Sequence, residues 1–218
     1  MVFAPALRKF TFTTHVTSSV GWVGAALVFL ALAAIGLLSD DERTARGAYL
    51  VMAPAAWFVL VPLAHASLVS GMALSLGTPW GLIRHYWVVV KLAITLFSTV
   101  ILLIYMGTFR QMAGVAADPV VELELVRNPS PLLHAILALV LLISATVLAI
   151  YKPFGMTPYG ASQQIRARQG AEGFPFQGEE KTSGGKARRW EYVLWIAALA
   201  ILALIVVSHL LGSGSHGH

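Results

Sequence analysis

The sequence predicts an all-α polytopic membrane protein with five transmembrane helices, four in a bundle and the fifth peripheral to it. Three observations carry this. Of 218 residues, 57% are hydrophobic and 11% charged, whereas a soluble domain carries about 25% charged residues. No charged residue lies between Lys9 and Asp40, nor between Arg46 and Arg84. Five stretches are long enough to cross a hydrocarbon core of ~30 Å, which takes about 20 apolar residues.

The spans are expected at 16–38, 47–76, 85–106, 132–151 and 192–211. The first lacks the short apolar core and cleavage site of a signal peptide and is long enough to remain as a span. The second contains Pro54 and Pro62, which release the carbonyls of Leu50 and Phe58 from helical bonding, so one kinked or tilted crossing is expected rather than two. The fourth follows Asn128-Pro129-Ser130-Pro131, a helix-start signal with proline in the first turn. The fifth follows a basic stretch and carries Trp190, Tyr192 and Trp195 as interface anchors.

This divides the chain into a four-helix transmembrane bundle (1–151), a mobile basic cytoplasmic loop (152–189), the fifth helix (190–211) and a polar tail (212–218). The loop holds too few aliphatic residues to bury a core of its own. A basic loop of this kind docks on anionic lipid. In the tail, His216 and His218 offer at most weak chelation. With the N-terminus cytoplasmic, the inner segments collect Arg8, Lys9, Arg84, Lys152 and the basic residues up to Arg189, while Asp40, Asp41, Glu42, Asp118, Glu122 and Glu124 lie outside. The positive-inside rule therefore places the N-terminus in and the C-terminus out. The compartment expected is a bacterial cytoplasmic membrane.

The chain has no cysteine, which removes disulfides and thiolate chemistry and leaves histidine, with six methionines, as the soft-metal or haem ligands. There is no covalent haem motif, no paired-histidine zinc motif, no phosphate loop and no acidic residue inside a span, so a conventional hydrolase or nucleotide enzyme is not expected, and nucleic acid is not an expected partner.

The chemistry therefore rests on polar residues in apolar helices. Lys91 lies seven residues into the third span, where an ammonium in hydrocarbon costs roughly 2.5–3.5 kcal/mol on translocon scales. At 100° per residue Arg84, Lys91, Thr95 and Ser98 share one face. Two readings of Lys91 stay open: a stem that snorkels to the boundary, or an inward ammonium that meets an anionic ligand such as a propionate, or moves protons. In the first span His15, Ser18, Ser19, Trp22, Ala25 and Ala26 fall on one face, where small residues permit close approach. His15 is either interfacial or a ligand. His65 lies well inside the second span, where an imidazole needs a partner. His85 is expected at the interface, and His134 and His209 near the outer face, where they form a second candidate metal pair.

Histidines on separate helices supply what b-type haem ligation needs. The expected function is thus a haem b-binding membrane protein, electron-transferring or porphyrin-handling, with His15 and His65 as ligands and Lys91 and Arg84 on the propionates. If it is an enzyme, it is a haem-dependent membrane oxidoreductase, with a membrane redox partner or a quinone beside the lipid bilayer. The alternatives are a copper-related component for uptake or tolerance, drawing on His15, His65, His134 and His209, and an accessory subunit whose polar residues only stabilise packing.

The stretches HVTSSVGWVGAALVFLALA and SLVSGMALSLGTPWGLIRHYWVVVKLAITLFSTVILL resemble an uncharacterised family of bacterial, chiefly actinobacterial, integral membrane proteins over the first three spans. The histidine followed seven residues later by Trp-x-Gly, with an aromatic shortly before Lys-Leu in the third span, is more distantly similar to the membrane domain of copper-resistance protein D. The same His and Lys pattern is similar to the HemJ-type protoporphyrinogen oxidase, a small membrane protein that binds b-type haem. Carried over to this sequence, these resemblances imply roles for His15 and Lys91. The chain departs from the oxidase pattern in lacking the Pro-Arg-Leu run after the first histidine. It also lacks the methionine and cysteine clusters of a copper conduit.

Overall fold

The structure, a computed structural model, describes residues 3–78, 81–152 and 155–171. These fall almost wholly in one compact unit, Met1–Arg168. The expected fifth span at 192–211 and His209 lie outside the described residues. Among the described residues all regular structure is helical apart from one isolated β-bridge, and four helical segments are long and apolar enough to cross a membrane.

Helix α1 (Pro5–Leu38) starts with proline in its first turn, where the missing N–H costs nothing. Its buried residues are Thr11, His15, Ser18, Trp22, Ala26, Phe29, Ala33 and Gly36, a run of three- and four-residue steps that keeps one stripe inward. The stripe is polar at its N-terminal end and apolar beyond Trp22. At Gly36 a methyl group would lie 2.9 Å from the ring of Tyr49, so the absent side chain is what admits the fully buried Tyr49 against α1.

The second membrane-capable segment runs without interruption from Glu42 to Leu76 as α2 (Glu42–Ala55), a π-helical turn (Ala56–Leu60) and α3 (Val61–Leu76). Asp41 caps α2: its carboxylate accepts from the Thr44 amide at 3.0 Å and from the Thr44 hydroxyl. Those bonds hold the Asp41 carboxyl below the usual carboxylate range. The π turn sits between Pro54 and Pro62, with the Val61 amide donating to the Ala56 carbonyl five residues back. Each proline removes one i→i−4 bond, and the wider turn accommodates the freed carbonyls. The single irregular crossing expected from the two prolines is therefore found.

Helix α4 (Tyr86–Ala117) follows, then a short α5 (Leu123–Val126) and α6 (Ser130–Tyr151). Helix α1 packs on α2, α3 and α6, and α4 packs on α2, α3 and α6 in turn. The core between them is lined by Trp22, Ala26, Phe29, Ala64, Ile94, Phe109, Leu139 and Leu142, all buried. Phe29 of α1 meets Phe109 of α4 edge-on at 5.5 Å between centroids.

At the acidic end, Arg46 pairs with Glu42 and donates to the carbonyls of Ala116, Asp118 and Val121. Tyr49 donates to the Asn128 carbonyl and accepts from the Asn128 amide, at 3.2 and 3.0 Å. At the basic end part of the stretch expected as an irregular loop is helical: α7 spans Pro158–Ala171. Its cap Thr157 accepts from the Gly160 amide at 3.1 Å and donates its own amide to the Arg84 carbonyl at 3.0 Å. A bridge between His85 and Met156 adjoins it. Composition alone missed this helix because backbone bonds to residues 83–86 secure its approach, in place of an apolar core.

Candidate functional site: a lysine and histidine pair among hydroxyls

Lys91 of α4 is half-buried and has a partner on α1. Its Nζ lies 3.1 Å from Nε2 of His15, and the contact joins two helices that both pack on α2, α3 and α6. The other ring nitrogen, Nδ1, is 3.1 Å from the Ser67 carbonyl and 3.2 Å from the Ser70 hydroxyl on α3. A carbonyl oxygen only accepts, so Nδ1 carries the hydrogen and Nε2 presents a lone pair. Lys91 donates to that lone pair. The tautomer of His15 thus follows from its neighbours rather than from any observed proton.

Hydroxyls from α1, α3 and α4 surround the pair. Ser70 donates to the carbonyls of Ala66 and Ser67, leaving its oxygen to accept from His15. Ser18 donates to the His15 carbonyl at 3.2 Å, and Ser19 shares a 2.8 Å bond with Ser67. On α4, Thr95 donates to the Lys91 carbonyl at 2.9 Å and Thr99 to the Thr95 carbonyl at 2.8 Å, the back-bonding that lets hydroxyls sit in an apolar helix. Two turns beyond Lys91, the buried Ser98 hydroxyl has no hydrogen-bond partner among the described residues. Beyond the cluster the buried stripe of α1 continues with Trp22, 3% exposed, Ala26 and Phe29.

The π turn determines which serines take part. The buried residues of the second segment step through Met52, Ala56, Leu60, Ala64 and Ser67. Three successive four-residue steps would drift by about 120° in a regular α-helix of 3.6 residues per turn. The π turn takes up that drift, so Ser67 and Ser70 still face His15.

The remaining expected site residues are placed apart from this pair. His65 is exposed and donates from Nδ1 to the Val61 carbonyl of its own helix at 2.8 Å. The buried face of α3 is set by Ala64, Ser67 and Ser70, and His65 points off it, so the structure does not bring His15 and His65 together. Arg84 precedes α4 and does not share its helical face with Lys91. His85, the cap residue, is extended at φ −128° and ψ 134°, which breaks the helical register before Arg84 is reached. The Arg84 side chain packs against Gly81.

His134 lies toward the acidic end, donating from Nδ1 to the Ser130 carbonyl at 2.8 Å and stacking on Tyr105 at 4.1 Å between centroids. Tyr105 in turn donates to the Ser130 hydroxyl at 2.8 Å. Among the described residues no three histidines or acids converge to hold a metal ion. Sequence reasoning missed Ser67, Ser70 and Gly71. Their signal was present as Ser-x-x-Ser-Gly in an apolar helix, two hydroxyls one turn apart with a glycine beside them.

Fold and site together define a class: among the described residues, a helical protein with four segments long and apolar enough to cross a membrane, holding a part-buried cation in contact with an imidazole. Comparison with protein-family models, with curated proteins and with solved structures returns no match.

Proposed function

We propose that the chain is a multi-pass protein of a bacterial cytoplasmic membrane that takes a carboxylate-bearing, otherwise apolar ligand against Lys91 and His15. Haem b, or another porphyrin with its two propionates, is the candidate ligand. The observation that carries this is the charge of Lys91. Its partner in the site is an imidazole, whereas Arg46 pairs with Glu42 and Arg127 with Glu124. A part-buried cation without a carboxylate leaves room in the electrostatic balance for an anionic ligand.

The donor set also fits His15 as the residue that would hold the haem iron. A ligating histidine commonly donates its second ring nitrogen to a carbonyl, and the bond to Ser67 supplies that support while directing the Nε2 lone pair inward. Lys91 would release this lone pair and turn to a propionate. Haem bound here would supply one-electron chemistry. His65 is not part of this arrangement, so a single protein ligand from α1 replaces the two-histidine scheme. The basic end, with α7 and Arg84, is assigned to the cytoplasm on its charge. Copper has less support, because the described residues gather no cluster of metal donors around His15.

The test is titration of detergent-purified protein with haemin and, separately, with iron-free protoporphyrin IX, followed in the Soret region. Lys91→Met keeps the stem and removes a charge-assisted contact worth roughly 1.5–3 kcal/mol, so affinity for both should fall about tenfold or more. His15→Ala should shift the haemin spectrum, whereas His65→Ala should leave it unchanged. Equal occupancy in wild type and Lys91→Met overturns the proposal.

A further inference from the structure

We propose that Arg110 and Trp57 form a surface site for the headgroup phosphate of an anionic phospholipid, in the leaflet at the acidic end of the molecule. The site is independent of the ligand read at Lys91. The guanidinium of Arg110, on α4, lies over the indole of Trp57, in the π turn, with Cζ 5.7 Å from the ring centroid. Both side chains are exposed. Stacking occupies one face of the guanidinium and leaves its N–H edges free. Among the described residues no hydrogen bond or ion pair engages those edges. By contrast, Arg46 is satisfied by Glu42 and by the carbonyls of Ala116, Asp118 and Val121, and Arg127 by Glu124 and the Ser39 carbonyl.

The depth of Arg110 says what acceptor it meets. Helix α6 has 22 residues from Ser130 to Tyr151, about 33 Å at 1.5 Å per residue, close to the ~30 Å of a hydrocarbon core. Its start therefore marks the boundary at the acidic end. Tyr105 donates to the Ser130 hydroxyl, which carries that level across to α4. Arg110 comes five residues later, about 7.5 Å further along the axis, at the depth of the headgroups, where tryptophan also prefers to sit. The acceptor a bilayer supplies there is a phosphodiester, which a guanidinium takes through two parallel N–H···O bonds. A headgroup that carries its own ammonium already balances its phosphate, so charge complementarity favours a net anionic lipid. Gly107 and Gly114 are exposed about one turn to either side of Arg110, and a methyl group at either would meet nothing within 4 Å, so the approach is uncovered. Toward the membrane centre the exposed Leu103 and Ile104 offer an apolar bed for acyl chains.

The experiment titrates the full-length protein in a non-ionic detergent with dioleoyl phosphatidylglycerol and, separately, dioleoyl phosphatidylcholine, and counts bound lipid by native mass spectrometry. Basic residues at the opposite end also attract anionic lipid, so the readout is the difference between variants. Wild type should hold one phosphatidylglycerol that Arg110→Gln binds about tenfold more weakly, and should prefer it to phosphatidylcholine. Arg110→Lys keeps the charge without the planar fork and should recover part of the affinity. Trp57→Leu keeps the arginine and removes the stacking, so it should weaken binding about threefold, and it stands in should Arg110→Gln fail to fold. Arg43→Gln removes another exposed cation at the same end and should change nothing. Equal phosphatidylglycerol binding in wild type and Arg110→Gln overturns the proposal. So does an equal loss in Arg43→Gln, which would report net charge alone, or the absence of a preference over phosphatidylcholine. A changed oligomeric state in Arg110→Gln with an unchanged lipid count would assign the surface to a second copy of this chain, and would overturn it too.

Discussion

At Gly71 the site depends on a missing side chain. A methyl group there would lie 2.9 Å from Cε1 and 3.3 Å from Nδ1 of His15, inside normal contact distance. The imidazole is held on its other side by Lys91 and cannot swing away without losing a bond. Gly71→Ala should therefore displace the ring, break the contact with Ser67 or with Lys91, and destabilise the protein by about 1–3 kcal/mol, as overpacking does. The check is a thermal unfolding midpoint in detergent together with the His15 ring resonances, which should shift in Gly71→Ala and stay in place in Gly47→Ala, where a methyl meets open space. Lys91 was recognisable in the sequence as a charge out of place. The pairing with His15 was not, because 76 residues separate them and the packing of both helices on α2, α3 and α6 brings them together.

At the scale of the element, the π turn between Pro54 and Pro62 carries one residue more than an α-helical turn. Deleting Phe58, which is 75% exposed, should convert Ala56–Leu60 to regular helix while keeping Ser67 and Ser70 on their present face. The cost is about 3 kcal/mol for a proline left inside an α-helix, and porphyrin binding should be retained. Inserting an alanine after Phe58 should instead rotate Ser67 and Ser70 by about 100°, withdraw the acceptor from Nδ1 of His15, and weaken porphyrin binding. Comparing affinities and unfolding midpoints of the two variants tests the role of the turn. A proline pair predicts a disturbed helix, yet not where the extra residue is absorbed. That depends on which side chains, here Ala56, Leu60 and Ala64, fit closely against α1.

For the whole molecule, the described acids cluster at one end, in residues 40–42 and 118–124, while Arg8, Lys9, Arg84, Lys152 and Arg166 mark the other. The polar cluster lies toward the basic end of α1, with the apolar Trp22 and Phe29 beyond it on the same stripe, so a ligand should reach it from that side. Because the chain has no cysteine, single cysteines report topology without background. Ser162→Cys in α7 should react with a membrane-impermeant maleimide only after cells are permeabilised, and Val120→Cys, at a position 88% exposed at the opposite end, should react in intact cells. The reverse pattern would invert the assigned orientation.

The sequence by itself determined that the chain is apolar enough for a membrane and where four helical segments lie. Hydropathy and charge-free length are local properties, and spanning backbone must satisfy its own hydrogen bonds as helix. It also marked Lys91 and His15 as costly residues in need of partners. Tertiary structure alone decided which partners they found. Rotation of α3 turned Ser67 and Ser70 inward and His65 outward, a difference of a single register position that residue type does not reveal. The extended backbone at His85 removed Arg84 from the face of Lys91. Burial of a polar group is tolerated only where neighbours complete its hydrogen bonds, and those neighbours come from three helices distant in the chain.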